Sequence, residues 1–112
     1  MKVNIFIEKL STSPEQVEFN ELMDVISANY HYKPCTFSNG DLINEAGSNE
    51  GSCKIFAFAK LHDLSKELTL ACFGQYYRED VLLNPEGIDH GHIRNFIKQG
   101  WQGINFEGEV LS

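Results

Sequence analysis

Three cysteines, Cys35, Cys53 and Cys72, are too few and too scattered for a disulfide framework. No Cys-x-x-Cys pair occurs, which removes zinc ribbons and thioredoxin-like redox motifs. Positive charge is equally scarce. Nine lysines and arginines, of which only Arg78 and Arg94 are arginine, stand against sixteen acidic residues, for a net charge of -7. A nucleic-acid binder needs a basic face to neutralise phosphates, and no cationic cluster exists to form one. No apolar run approaches the roughly 18 residues that cross a bilayer. Residues 1–9 meet a charge after seven residues with no small-residue cleavage site behind it, which argues against a signal peptide. No Gly-Lys-Ser/Thr closes a phosphate loop and no Gly-x-Ser-x-Gly elbow presents a nucleophilic serine.

What is present is the composition of a folded globule. The 112 residues are 42% hydrophobic and 12% aromatic, enough for one domain over residues 1–112 with a single core. Val3, Phe6, Ile7 and Leu10 share one helical face. Ser13, Pro14 and Gln16 read as the capped start of a helix continuing through Phe19, Leu22, Met23, Ile26 and Tyr30. Asn39-Gly40 between two short alternating runs predicts a hairpin near 35–44. Ser52 caps a helix from Lys54 to about Leu61 whose apolar residues point nearly all round. Ser65 starts a further helix expected to run, weakened by Gly74, to Leu83. Asp89 is the expected cap of a last helix that ends at Gly100, and an extended C-terminal segment carries Ile104 and Phe106. Four or five helices with a small antiparallel sheet make an α+β class.

Several residue groups could carry chemistry. Cys53, at an expected helix start beside Lys54, is placed to have a lowered thiol pKa, and His90 or His92 could act as its base. This is the pattern of a Cys/His-dependent hydrolase or transferase. The alternative is a small residue buried at a tightly packed helix start. His90 and His92 also invite a metal reading, but on a helix they diverge by roughly 200° and no zinc-ligand spacing supports them. No metal site and no cofactor is therefore expected. The segment 39–54 holds three glycines and three asparagines, a composition suited to a binding rim. Asn39, Asp41, Asn44, Glu45, Asn49, Ser52 and Lys54 are its candidate contact residues. Tyr76, Tyr77 and Arg78 add residue types frequent at interaction hot spots, or else cover the core edge with their hydroxyls in water.

The segments Asn39-Gly40-Asp41-Leu42, Asn44-Glu45-Ala46-Gly47 and Gly51-Ser52-Cys53-Lys54-Ile55-Phe56-Ala57-Phe58-Ala59 resemble the HopJ type III effector family. So do Ala71-Cys72-Phe73-Gly74-Gln75-Tyr76-Tyr77-Arg78, Asn84-Pro85-Glu86-Gly87, Ile93-Arg94-Asn95-Phe96 and Gly100-Trp101, in the same order. The resemblance implies a small, virulence-related protein of a Gram-negative bacterium and brings no assigned catalytic residue. The scattered cysteines and the lack of a signal peptide point to residence in a reducing bacterial cytoplasm, and the resemblance implies export to a host cell by type III secretion where the effector role applies. The reading that follows is a non-enzymatic module binding a protein or a small molecule, with the 39–53 loop and the start of the last helix as its site. The acidic surface points any charged partner toward being basic.

Overall fold

The helix whose apolar residues point nearly all round is the centre of the molecule. In the computed structural model, which describes residues 2–112, α3 spans Glu50–Leu61. Cys53, Ile55, Phe56, Phe58 and Ala59 of this helix are all buried. Its two sides organise two aromatic groups. Phe58 meets the rings of Phe6, Tyr30 and His62, and Phe56 meets Phe73, Phe96, Trp101 and His92. A fully buried aromatic ring removes more apolar area from water than any other side chain, so these groups dominate the core energetically.

Around α3 lie α1 (Val3–Thr12), α2 (Phe19–Asn29), α4 (Lys66–Ala71) and α5 (Gly91–Gln99). The strands β1 (Phe37–Asn39), β2 (Leu42–Asn44) and β3 (Ile104–Phe106) form an antiparallel sheet in the order β2-β1-β3. The hairpin is where the sequence predicts it, but its turn is Gly40-Asp41 rather than Asn39-Gly40, since Asn39 ends β1 opposite Leu42 and Gly40 takes φ +63°. A separate bridge pairs Tyr32 with Leu111 and fastens the C-terminal segment. The α+β class stands.

Five further local expectations are corrected. Residues 14–30 are not one helix capped by Ser13. Pro14–Gln16 is a single 3-10 turn, Val17 and Glu18 are extended, and α2 begins at Phe19. Packing decides this break: Val17 is fully buried and its carbonyl accepts from Arg78 Nη1 at 2.7 Å. Glu21 turns back to accept the Glu18 N–H at 3.0 Å and pairs with Lys9 at 2.7 Å. Ser52 is not a cap, since α3 starts three residues earlier behind Asn49 in the left-handed conformation. Nor does a helix run from Ser65 to Leu83. Ser65 does cap α4, accepting from the Leu68 N–H at 3.1 Å, but Gly74 at φ +61° ends the run and a short π-helical segment, Tyr76–Val81, follows. A Cβ on Gly74 would sit 2.5 Å from the Phe19 nitrogen, so the glycine also lets the chain lie against the start of α2. Finally, His90 rather than Asp89 occupies the N-cap of α5, again left-handed at φ +51°. The expected extended stretch after Gly100 opens with a 3-10 turn, Gly100–Gly103, before β3.

Candidate functional site

The left-handed residues Asn49 and His90 start two helices that meet at one cleft of about 420 Å³. Asn49, Gly51 and Ser52 line it from α3, His90, Gly91, His92 and Ile93 from α5, and Phe19, Phe73 and Tyr76 supply aromatic walls. Tyr76 packs edge-on to Phe19 with centroids 5.2 Å apart and is tilted against His90 at 5.4 Å. The N–H groups of a helix's first turn have no intrahelical acceptor, so both starts offer donors here. A Cβ on Gly51 would meet Phe19 Cζ at 2.7 Å, so the glycine keeps that wall in place.

Beneath the rim runs a network of side-chain amides around His92. Asn44 Nδ2 donates to the carbonyls of Phe37 and Leu42 at 3.3 Å each, which fixes the amide and leaves Oδ1 as the acceptor. That oxygen accepts from Asn49 Nδ2 at 2.7 Å and from His92 Nε2 at 3.1 Å. The imidazole proton therefore resides on Nε2. Nδ1 accepts in turn from Asn39 Nδ2 at 3.1 Å, an amide that also donates to the His92 carbonyl at 2.9 Å. Burial lowers the His92 pKa, and the donor facing Nδ1 leaves no acceptor for a second proton. Asn39 is fully buried, with its Oδ1 unpaired. Asn95 Nδ2 donates to the Asn39 carbonyl at 3.0 Å and to Asp41 Oδ1 at 3.3 Å, tying the hairpin to α5 from the other side.

The two candidate histidines diverge, His90 from its left-handed N-cap position and His92 from within α5. His90 Nε2 lies 3.0 Å from Asp80 Oδ2, whereas His92 points into the amide network. His62, a conceivable third ligand, is bonded instead to the Tyr30 hydroxyl at 2.5 Å. Among the described residues no group of three or more His, Cys, Asp or Glu side chains could hold a metal ion. Cys53 lines no part of the cleft. It is 1% exposed and its N–H already bonds to the Asn49 carbonyl, one full turn into α3. Burial pushes its thiol up to about 11; Cys35 and Glu50 add to this and Lys54 opposes it. No hydrogen bond joins Cys53 to an imidazole among the described residues, because His92 spends both ring nitrogens on asparagines and His90 turns to Asp80.

The other candidates separate into cleft and non-cleft positions. Asn49, Ser52 and Tyr76 line the cleft, while Asn39 and Asn44 support it from below. Asp41 and Glu45 are exposed beside it, and the Glu45 carbonyl accepts the Ser48 N–H at 2.9 Å. Lys54 lies elsewhere, with Nζ 4.6 Å from the centre of the Tyr32 ring. Tyr77 packs on the core, and Arg78 is spent on Val17 and Glu18. Sequence reasoning missed Phe19 and Phe73 as cleft walls, since their spacing marks them only as apolar, and missed Asp80 as the partner of His90. A second groove of about 450 Å³, between α3 and the C-terminal segment around Lys60, Phe106 and Val110, contains none of the candidates.

The family model described as HopJ type III effector protein matches residues 3–111. The chain belongs to the HopJ family. It is also similar to a solved structure titled "Crystal structure of unknown function protein VPA0580", with 54% identity and a TM-score of 0.98 over 100% of this chain and 93% of the other. A search of curated proteins returns no match. Among the described residues no helix is long and apolar enough to cross a membrane.

Proposed function

We propose that this HopJ-family chain is a small binding module whose ligand occupies the cleft between the starts of α3 and α5. The observation that carries this reading is the convergence of two helix starts and three aromatic rings on one concavity. Pockets that take small molecules combine apolar walls with a few fixed polar groups, and this one has that composition. Its electrostatics restrict the ligand. Asp80 behind His90 and Glu50 at the first position of α3 disfavour an anion, while the helix dipoles disfavour a cation. An uncharged group with a flat apolar body and a hydrogen-bond acceptor fits best. The amide network holds the rim in one geometry, so little ordering is lost on binding.

Catalysis through Cys53 finds less support, since the thiol is buried, raised in pKa and outside the cleft. The test is a titration of the ¹⁵N-labelled full chain with benzamide and indole-carboxamide fragments. Saturable shifts are expected at the amides of Gly51, Ser52, Gly91 and His92. Gly51→Val, which displaces the Phe19 wall, is expected to abolish them. Equal shifts in that variant, or shifts confined to the Lys60–Phe106 groove, would overturn the assignment.

A further inference from the structure

Of the seven large apolar side chains left exposed among the described residues, three lie on one connection: Leu82, Leu83 and Ile88, at 51%, 74% and 98% exposure. Isolated exposed apolar residues are ordinary, but three within seven positions of one loop are a local concentration that the fold itself does not bury. The loop is held rather than loose. Arg94, whose side chain is only 12% exposed, donates to the carbonyls of Asn84 at 2.9 Å and Asp89 at 2.6 Å and to Asp89 Oδ1 at 2.7 Å. The Gly87 N–H closes a turn onto the Asn84 carbonyl at 3.0 Å, and a Cβ on Gly87 would stand 2.6 Å from Arg94 Nη2. A residue with a side chain there would push the guanidinium out from under the loop. The clamp therefore holds the loop from Asn84 to Asp89 in place, with Leu83 and Ile88 left exposed on it.

We propose that the 82–89 loop is a protein-docking element that inserts Leu83 and Ile88 into an apolar pocket rimmed by Lys and Arg on a different protein. The rim chemistry follows from charge. Glu79 and Glu86 are exposed acids of the same stretch, beside Asp80 and Asp89 that pair with His90 and Arg94, and no lysine occurs between Lys66 and Lys98. Both arginines of that stretch are already engaged, Arg78 by Val17 and Glu18 and Arg94 by the loop itself. A net charge of -7 disfavours a second copy of this chain as the occupant. A loop held in place reduces the ordering cost of docking, and the acidic stretch steers a basic partner on approach. This surface is independent of the cleft, so either assignment can fail without the other.

The experiment places a photo-crosslinking side chain at position 88 of the full chain in lysate from its own bacterium. The adduct is identified by mass spectrometry, and binding is then measured with the purified partner. Ile88→Ser and Leu83→Ser are expected to weaken that binding by roughly tenfold or more each. Affinity is expected to fall severalfold between about 50 mM and about 300 mM salt. Because Ile88 is 98% exposed, Ile88→Ser should melt at the wild-type temperature, which separates lost docking from lost folding. The proposal is overturned if no adduct forms, if the adduct is a second copy of the chain, or if the identified protein binds Ile88→Ser unchanged. Ile88-dependent sedimentation with anionic phospholipid vesicles, in place of a protein adduct, overturns it as well.

Discussion

Replacing Asn44 with alanine tests whether the amide network holds the hairpin, the start of α3 and α5 together. Asn44 is 6% exposed and makes four side-chain hydrogen bonds, two donated to the Phe37 and Leu42 carbonyls and two accepted from Asn49 and His92. The two 3.3 Å bonds are long and contribute little. Asn49 is exposed and can take water in place of its lost acceptor. The main cost falls on His92, whose part-buried Nε2–H would lose its acceptor, a loss of about 1–3 kcal/mol. Adding roughly 1 kcal/mol for the bond to Asn49 gives about 3 kcal/mol for Asn44→Ala. In a domain of this size that corresponds to a drop of roughly 10 °C in melting temperature. Urea unfolding followed by fluorescence and by far-ultraviolet circular dichroism gives the free energy directly. Asn95→Ala is the control, removing one half-buried bond to the Asn39 carbonyl, and is expected to cost about 1 kcal/mol. A loss below about 0.5 kcal/mol for Asn44→Ala would refute the network as a structural tie. So would ¹⁵N shifts showing the His92 proton on Nδ1, since the amide orientations place it on Nε2.

Three further outcomes follow from the same geometry. His92 and His62 both have their pKa lowered by burial, so the unfolded chain binds protons more readily than the folded one. Their stabilising contribution is complete above the unfolded value near 6.5 and is lost as pH falls below it. Stability curves from pH 8 to 5 should show this slope, reduced in His92→Gln, and a flat profile in the wild type would contradict it. Cys53, with its thiol near 11, should resist iodoacetamide at neutral pH until the chain unfolds. Peptide mass mapping checks this, and rapid labelling of the native protein would revive the nucleophile. Gly74→Ala should destabilise by at least about 2 kcal/mol, because it forces alanine to φ +61° and drives its Cβ against the Phe19 nitrogen. A melting temperature equal to that of the wild type would mean the close approach is relaxed at no cost.

The family and most of the elements were legible because they rest on local signals. Apolar spacing marked α1, the Asn39-Gly40 pair marked the hairpin, and Ser65 marked the start of α4. The 39–53 loop and the start of the last helix were paired as a candidate site on composition alone, and residues from both line the cleft. Three of the errors have a common cause. At Val17, Gly74 and His90 the backbone leaves its locally preferred path where a partner from another segment meets it. Arg78 reaches the Val17 carbonyl, the start of α2 packs on Gly74, and Asp80 reaches His90.

By itself, then, the sequence determined the class of fold, the net negative charge and the helix faces, because periodicity and net charge are properties of the chain read in order. It could not determine the state of a functional group. Cys53 reads as an activated thiol when it is placed one residue after a cap, and the structure moves it a turn deeper, into surroundings that raise its pKa. His92 reads as a candidate base for Cys53, and the structure gives both of its nitrogens to asparagines 53 and 48 positions away. Protonation, burial and the choice of hydrogen-bond partner depend on which segments meet across the core, and only the tertiary structure decides that.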